Sequence, residues 1–222
     1  MEQFDAGNCV PRSEGFTHWD GPGLDAWQAW RPEECARVLD RFDSPWCVVG
    51  GWALDLSLGR LTREHEDLEI AIPRATFPAM RAYLEATGYV LHSVGDGEVR
   101  RLERDQSPPA ARHQNWVLDP VGAWRMDVML EPGDIATWVF RRDERLHAPR
   151  AFMVGTTQSG LPHLKAHGVL LYKAKAARAK DEADFNHAAP GLGFDERAWL
   201  TEALARIHPG HAWIKRLIAQ GT

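Results

Sequence analysis

The chain has 222 residues, 44% hydrophobic and 26% charged, a composition that fits a soluble globular protein of one large domain or two small ones. Its net charge of −5 argues against a general nucleic-acid binder, whose phosphate-facing surface is basic, and no apolar run approaches the roughly 18 residues of a membrane helix. Cys9, Cys35 and Cys47 form no Cys-x-x-Cys pair and read as reduced thiols of a cytoplasmic protein, and the acidic Met1–Asp5 stretch lacks the basic and apolar regions of a signal peptide.

Residues 1–31 carry scattered Gly, Pro and Asp and read as an irregular arm, which Trp19, Trp27 and Trp30 anchor by packing. Pro32 suits the first turn of a helix running to about Arg41. Trp46-Cys47-Val48-Val49 reads as a short buried strand. Gly50-Gly51 ends it, residues 52–58 form the next helix, and Gly59 stops that helix. Residues 67–72 read as a second strand closed by Pro73, and residues 76–87 as a helix stopped by Gly88. Residues 89–94 form a third strand ending in the Gly95-Asp96-Gly97 turn, and 104–113 a loop. Residues 115–118 and 124–130 form two strands joined by Asp119-Pro120-Val121-Gly122, and 138–154 add one or two edge strands. The remainder is helical: 164–179, 195–207 with an acidic first turn, and 211–219. The division expected is an arm at 1–31, an α/β domain at 32–158 and a helical region at 159–222.

The chemistry concentrates in a few places. In a strand, residues i and i+2 project from one face, roughly 6.5–7 Å apart, so Asp67 and Glu69 point together while Leu68 and Ile70 enter the core. Two adjacent carboxylates repel unless a cation lies between them, and Mg²⁺ takes hard oxygen ligands from carboxylates and substrate phosphates. Asp127 is a lone acid in the apolar run Trp124–Leu130. If its strand lies beside the first, three carboxylates can hold two metal ions roughly 3.5–4 Å apart, as in-line phosphoryl chemistry uses. Read singly, each acid also fits a solvated strand face or a structural pair.

Gly50 and Gly51 let backbone approach a ligand, and the helix behind them presents free N–H groups and a positive dipole end to an anion. No Gly-Lys-Ser/Thr follows, which excludes the common lysine-bearing phosphate loop. Arg60, Arg63 and His65 lie in the loop before the acidic strand. Arginine can fork onto phosphate oxygens and histidine can donate one bond, or the loop is solvated and paired with Glu64 and Glu66. Lys173, Lys180 and Asp184 fall on one side of a helix continued that far. That side faces a triphosphate, or Lys180 and Asp184 are a plain i,i+4 pair. His163 and His167 read as ordinary histidines.

The run Gly50-Gly51-Trp52-Ala53-Leu54-Asp55, continuing Gly59-Arg60-Leu61-Thr62-Arg63-Glu64-His65-Glu66-Asp67-Leu68-Glu69, resembles the nucleotidyltransferases of the DNA polymerase β superfamily. It is most similar in kind to the aminoglycoside 2''-nucleotidyltransferases and lincosamide nucleotidyltransferases. The tail, with Lys173–Lys175, Lys180–Phe185, Trp199-Leu200 and His208–His211, is similar to bacterial members of that group, and the resemblance spans roughly residues 45–215. It implies an α+β fold: a mixed β-sheet flanked by helices, then a C-terminal helical region. It also implies a nucleoside triphosphate such as ATP, two Mg²⁺ ions, and a small hydroxylated acceptor, for instance an aminoglycoside-like antibiotic. Asp67, Glu69 and Asp127 become the catalytic carboxylates, with Asp67 and Glu69 as metal ligands and Asp127 as ligand of the second metal or as the base that takes the hydroxyl proton. Gly50, Gly51, Arg60, Arg63, His65, Lys173 and Lys180 become nucleotide-binding residues. The family pattern is usually Asp-x-Asp; Glu69 keeps the charge and adds a methylene.

Two other functions fit the same residues. One is a toxin-type nucleotidyltransferase acting on RNA or protein through a basic groove of Arg60, Arg63, Arg100, Arg101 and Arg104. The other is a non-catalytic nucleotide-binding module. Glu131, Asp134 and Asp143 are acids that could meet a polycation. The sequence leaves monomer and homodimer open.

Overall fold

The computed structural model describes residues 18–19, 22–23, 26–103 and 105–220. Cys9 and Arg104 lie outside the described residues, as does the side chain of Trp19. Eleven strands are described: β1 (His18–Trp19), β2 (Cys47–Val48), β3 (Glu69–Pro73), β4 (Val90–Gly95), β5 (Glu98–Arg101), β6 (Gln114–Leu118), β7 (Trp124–Glu131), β8 (Thr137–Val139), β9 (His147–Pro149), β10 (Val154–Thr156) and β11 (Pro162–Leu164). Nine of them form one sheet in the order β1-β5-β4-β6-β7-β3-β2-β11-β10, while β8 and β9 pair separately. The helices are α1 (Pro32–Val38), α2 (Gly50–Leu58), α3 (Phe77–Glu85), α4 (Arg150–Met153), α5 (Ala166–Lys173), α6 (Ala179–Ala188), α7 (Phe194–Ile207) and α8 (Ala212–Ala219). This is the expected α+β architecture. No helix among the described residues is long and apolar enough to cross a membrane.

Strand alternation gives the sheet two unlike faces. Leu68, Ile70, Ile72, Met126 and Val128 are fully buried in one large core shared with Cys35, Leu54, Met80, Leu170 and Leu204 of the helices. The opposite face carries Glu69, Asp127, Trp116 and His92 in register across β3, β7, β6 and β4. There a smaller cluster of Val94, Val99, Trp116 and Trp124 is covered by Ala26 and Trp27. The anchoring expected of the arm is borne out for Trp27 and Trp30. Residues 26–30 run beside the start of β7, with Gln28 N–H on the Trp124 carbonyl at 3.0 Å and Trp30 N–H on the Arg125 carbonyl at 2.9 Å. Trp30 meets Tyr89 edge-on at 5.3 Å.

Several elements depart from the expected bounds. The helix expected from Trp52 begins at Gly50, so both glycines lie in its first turn. The second strand starts at Glu69, and Asp67 stands just before it. Residues 98–101 form β5, paired with β4 through the Gly95–Gly97 turn, where no strand was expected. The long helix expected over 164–179 ends at Lys173. Ala177 takes a left-handed φ of 42°, and α6 restarts with Asp181 accepting the Arg178 N–H at 3.1 Å. The expected division at 158 falls between β10 and β11, which pair with each other.

Cys35 and Cys47 are buried free thiols. Burial drives both thiols up, Cys47 to about 12, which keeps them unreactive.

The C-terminal helices are held by stacking. Phe185 of α6 lies parallel to Trp213 of α8 at 4.3 Å, and the Arg216 guanidinium lies 4.3 Å from the Phe185 ring. Phe185→Ala is expected to cost about 3–5 kcal/mol in urea unfolding. Phe194→Ala, on a side chain 82% exposed, should stay within about 0.5 kcal/mol of the parent.

Candidate active site

The parallel pairing of β3 with β7 sets Glu69 directly opposite Asp127. The Asp127 N–H donates to the Leu68 carbonyl at 2.8 Å, which locks that register. Asp127 is fully buried. Gln114 Nε2 donates to its Oδ2 at 2.9 Å and the Asn115 N–H to its Oδ1 at 3.0 Å. Burial pushes the Asp127 carboxyl up to about 7, the charges of Glu69 and Asp67 add to the rise, and the two hydrogen bonds oppose it. The three predicted acids thus share one electrostatic neighbourhood.

The glycine pair is built against this acid. Gly50 has φ +65°, and a Cβ there would collide with Glu69 Oε2. A Cβ on Gly51 would lie 2.6 Å from both Nδ1 and Cε1 of His65 and would also strike Arg63 Nη2. The first turn of α2 therefore carries no side chain of its own at these two positions, and Glu69, Arg63 and His65 pack directly against its backbone. Such a turn suits a phosphate, because free helix N–H groups and the dipole favour an anion there.

Asp55 organises that edge, although the sequence reading gave it no role. It is 4% exposed. Its Oδ2 lies 2.6 Å from His65 Nε2, and its Oδ1 accepts the Thr62 N–H at 3.1 Å and the Thr62 hydroxyl. One carboxylate on α2 thus folds the 59–66 loop back along the helix. The imidazole also packs on Trp52 at 4.5 Å between ring centres. Burial pulls His65 down, the bond to Asp55 opposes this, and Arg63 adds to the lowering. The signal in the sequence was an acid inside the apolar Ala53-Leu54 turn, with Thr62 and His65 downstream to receive it.

Lys173 and Lys180 are expected on one continuous helix side. They stand instead on two helices joined by the 174–178 turn. Lys173 Nζ is 2.7 Å from Asp184 Oδ2 and 3.3 Å from Asp181 Oδ1. Arg63 Nε reaches Asp184 Oδ1 at 3.5 Å, so Asp184 ties the loop before β3 to the C-terminal helices. Burial and the charges of Arg178, Arg63 and Lys173 pull Lys180 down, which places its amine in the same basic cluster. Arg60 is exposed, just after Gly59 ends α2. It lies a helix length, about 13 Å, from the glycine pair.

Other expected groups are accounted for elsewhere. Arg100 and Arg101 sit on β5, four strands from β3 and about 19 Å away, so they do not share a groove with Arg63. Glu131 pairs with Arg150 and Asp143 with Arg145, and Asp134 accepts the N–H groups of Ala136 and Thr137. His163 is buried on β11, and buried His167 lies among Phe152, Trp199 and Met153.

The donor set fits a hard divalent cation in charge and chemistry, since Glu69 and Asp67 raise the proton affinity of Asp127 where a cation would relieve the repulsion. Among the described residues no group of three or more His, Cys, Asp or Glu side chains is already drawn into chelating position.

Comparison with known proteins bears out the resemblance. Residues 33–131 match the family model of aminoglycoside-2''-adenylyltransferase. That stretch contains both glycines and all three acids. Two relatives, the 2''-aminoglycoside nucleotidyltransferases of Klebsiella pneumoniae and Escherichia coli, are each 31% identical over 65 residues. The match covers 29% of this chain and 37% of each relative. The solution structure of the antibiotic-resistance factor ANT(2'')-Ia shares the fold, with a TM-score of 0.50 and 15% identity over 84% of this chain and 94% of that one.

Two outcomes test the geometry. A carboxyl raised from 3.8 to about 7 on folding contributes stability that is complete below about pH 4 and lost as pH rises through about 7. In EDTA, Asp127→Asn should therefore flatten the stability profile between those values. It should exceed the parent above neutrality by on the order of a few kcal/mol, read by urea unfolding. Gly50→Ala should cost at least about 1–2 kcal/mol from its left-handed backbone alone, with further loss from the collision with Glu69.

Proposed function

We propose that this chain transfers a nucleoside monophosphate from a nucleoside triphosphate to a hydroxyl of a small acceptor of the aminoglycoside-antibiotic type. The observation that carries the reading is the pairing of Glu69 with Asp127 beside a glycine-built helix terminus on which Glu69, Arg63 and His65 converge. The family match over residues 33–131 supports it.

The phosphates lie along the first turn of α2, where the Gly50-Gly51 backbone approaches without a Cβ. Arg63 and His65 edge that surface, and Lys173 and Lys180 extend it from the C-terminal helices. Asp55 holds His65 and Asp184 holds Arg63, so the cationic edge is set before substrate arrives. Asp67, Glu69 and Asp127 would hold Mg²⁺, which when bound supplies charge neutralisation at the phosphoryl oxygens.

The acceptor oxygen bonds to the α-phosphorus as the bond from that phosphorus to the bridging oxygen breaks, and pyrophosphate leaves. The hydroxyl proton passes to Asp127. Asp127 is a carboxylate at the site for that role, and hydrogen bonds from Gln114 and Asn115 fix its plane.

The test is a screen of nucleoside triphosphates against hydroxylated antibiotics, read as pyrophosphate release and acceptor mass gain. Asp127→Ala should lower turnover by about 10²–10⁴-fold with the fold intact by circular dichroism. Arg63→Ala should raise the KM for nucleotide more than it lowers kcat. Full turnover in Asp127→Ala would sink the assignment.

A further inference from the structure

A second concave site lies away from the carboxylates. A cavity of about 240 Å³ is lined by Arg74, His113, Leu130, Pro132, Arg141 and Glu144. It opens where β3 and β7 end, between the segment before β6 and the loop joining β8 to β9. Leu130 lies three residues beyond Asp127 along β7, about 10 Å at the strand rise.

Two guanidiniums, Arg74 and Arg141, line this cavity on a protein whose net charge is −5, and Arg142 is near enough for its charge to reach His113. Arg74 Nη2 donates to the carbonyls of Ala110, at 3.2 Å, and Arg112, which leaves the rest of its fork for the cavity. Arg142 Nη1 donates to the Tyr172 carbonyl at 2.8 Å, and the guanidinium lies over the Tyr172 ring. Arg141 is half-buried and, among the described residues, makes no ion pair. Nearby Glu131 is taken by Arg150, and Glu144 is exposed. Burial lowers the proton affinity of all three arginines. Burial and the charges of Arg141, Arg142 and Arg74 hold His113 down to about 4, so the imidazole is neutral at physiological pH. Partly dehydrated cations without a counter-charge are costly, and an anion removes that cost.

We infer that this cavity binds a small phosphoryl anion between Arg74 and Arg141. Two forks arriving from different elements match a tetrahedral ion with several acceptor oxygens, whereas a planar carboxylate is satisfied by one fork. The volume falls below the ~300 Å³ at which drug-sized ligand sites begin, so the occupant is free phosphate or the terminal phosphate of a ligand that lies mostly outside.

The probe is inorganic phosphate, titrated in EDTA into the full chain and followed by calorimetry and by the ring resonances of His113. Saturable binding with a rise in the His113 pKa is expected, because the anion offsets the three guanidiniums. Arg141→Gln should weaken binding at least about tenfold and Arg141→Lys less. Arg63→Ala, at the carboxylate site, should leave it unchanged. Competition by a nucleoside monophosphate would identify a terminal phosphate as the occupant, and its absence the free ion. Failure to saturate would overturn the inference. So would acetate binding as tightly as phosphate, or loss on Arg63→Ala with retention in Arg141→Gln.

Discussion

The structure turns on one register contact. β3 and β7 run parallel, and their hydrogen bonds place Glu69 across from a fully buried Asp127. Two carboxylates at one sheet position repel, and burial of one raises its proton affinity to about 7. That arrangement is tolerable because the other face of the same strands buries Leu68, Ile70, Ile72 and Val128 without exposure. At roughly 25 cal/mol per Å² of apolar surface, that face holds the register against the repulsion. A slip by one residue would turn the acids into the core and the aliphatic side chains out.

Around this contact the site is assembled from separate parts of the chain. The bare first turn of α2 admits Glu69 on one side and Arg63 with His65 on the other. Asp55 folds the intervening loop back onto its own helix. Asp184 then draws Arg63 toward the C-terminal helices, where Lys173 shares the same carboxylate. Asp55 and Asp184, both buried, thus hold His65, Arg63 and Lys173 close to the cluster of Asp67, Glu69 and Asp127.

Much of this was legible from residue order. The glycine pair, the stop at Gly59, the alternation of Asp67 and Glu69 with Leu68 and Ile70, and the lone Asp127 in an apolar strand each follow local rules of backbone freedom and strand periodicity. The helix over 195–207 and the hairpin at Asp119–Gly122 were legible for the same reason. The exposed pair Arg100 and Arg101 hid the strand at 98–101, because its alternation is masked at an edge that only β1 covers. The break after Lys173 was hidden too. Its residues are good helix formers, and the turn is held by Asp181 capping α6 and meeting Lys173 across it.

Local pattern therefore settled most of the elements and pointed to the acids and the glycine turn, since these depend on neighbours within a few residues. Strand order, the partnership of Glu69 with Asp127, the role of Asp55 and the second cationic cavity arise from contacts between residues ten to more than sixty positions apart. Such contacts depend on which surfaces can be buried together and which charges can be neutralised together. Only the folded chain decides those.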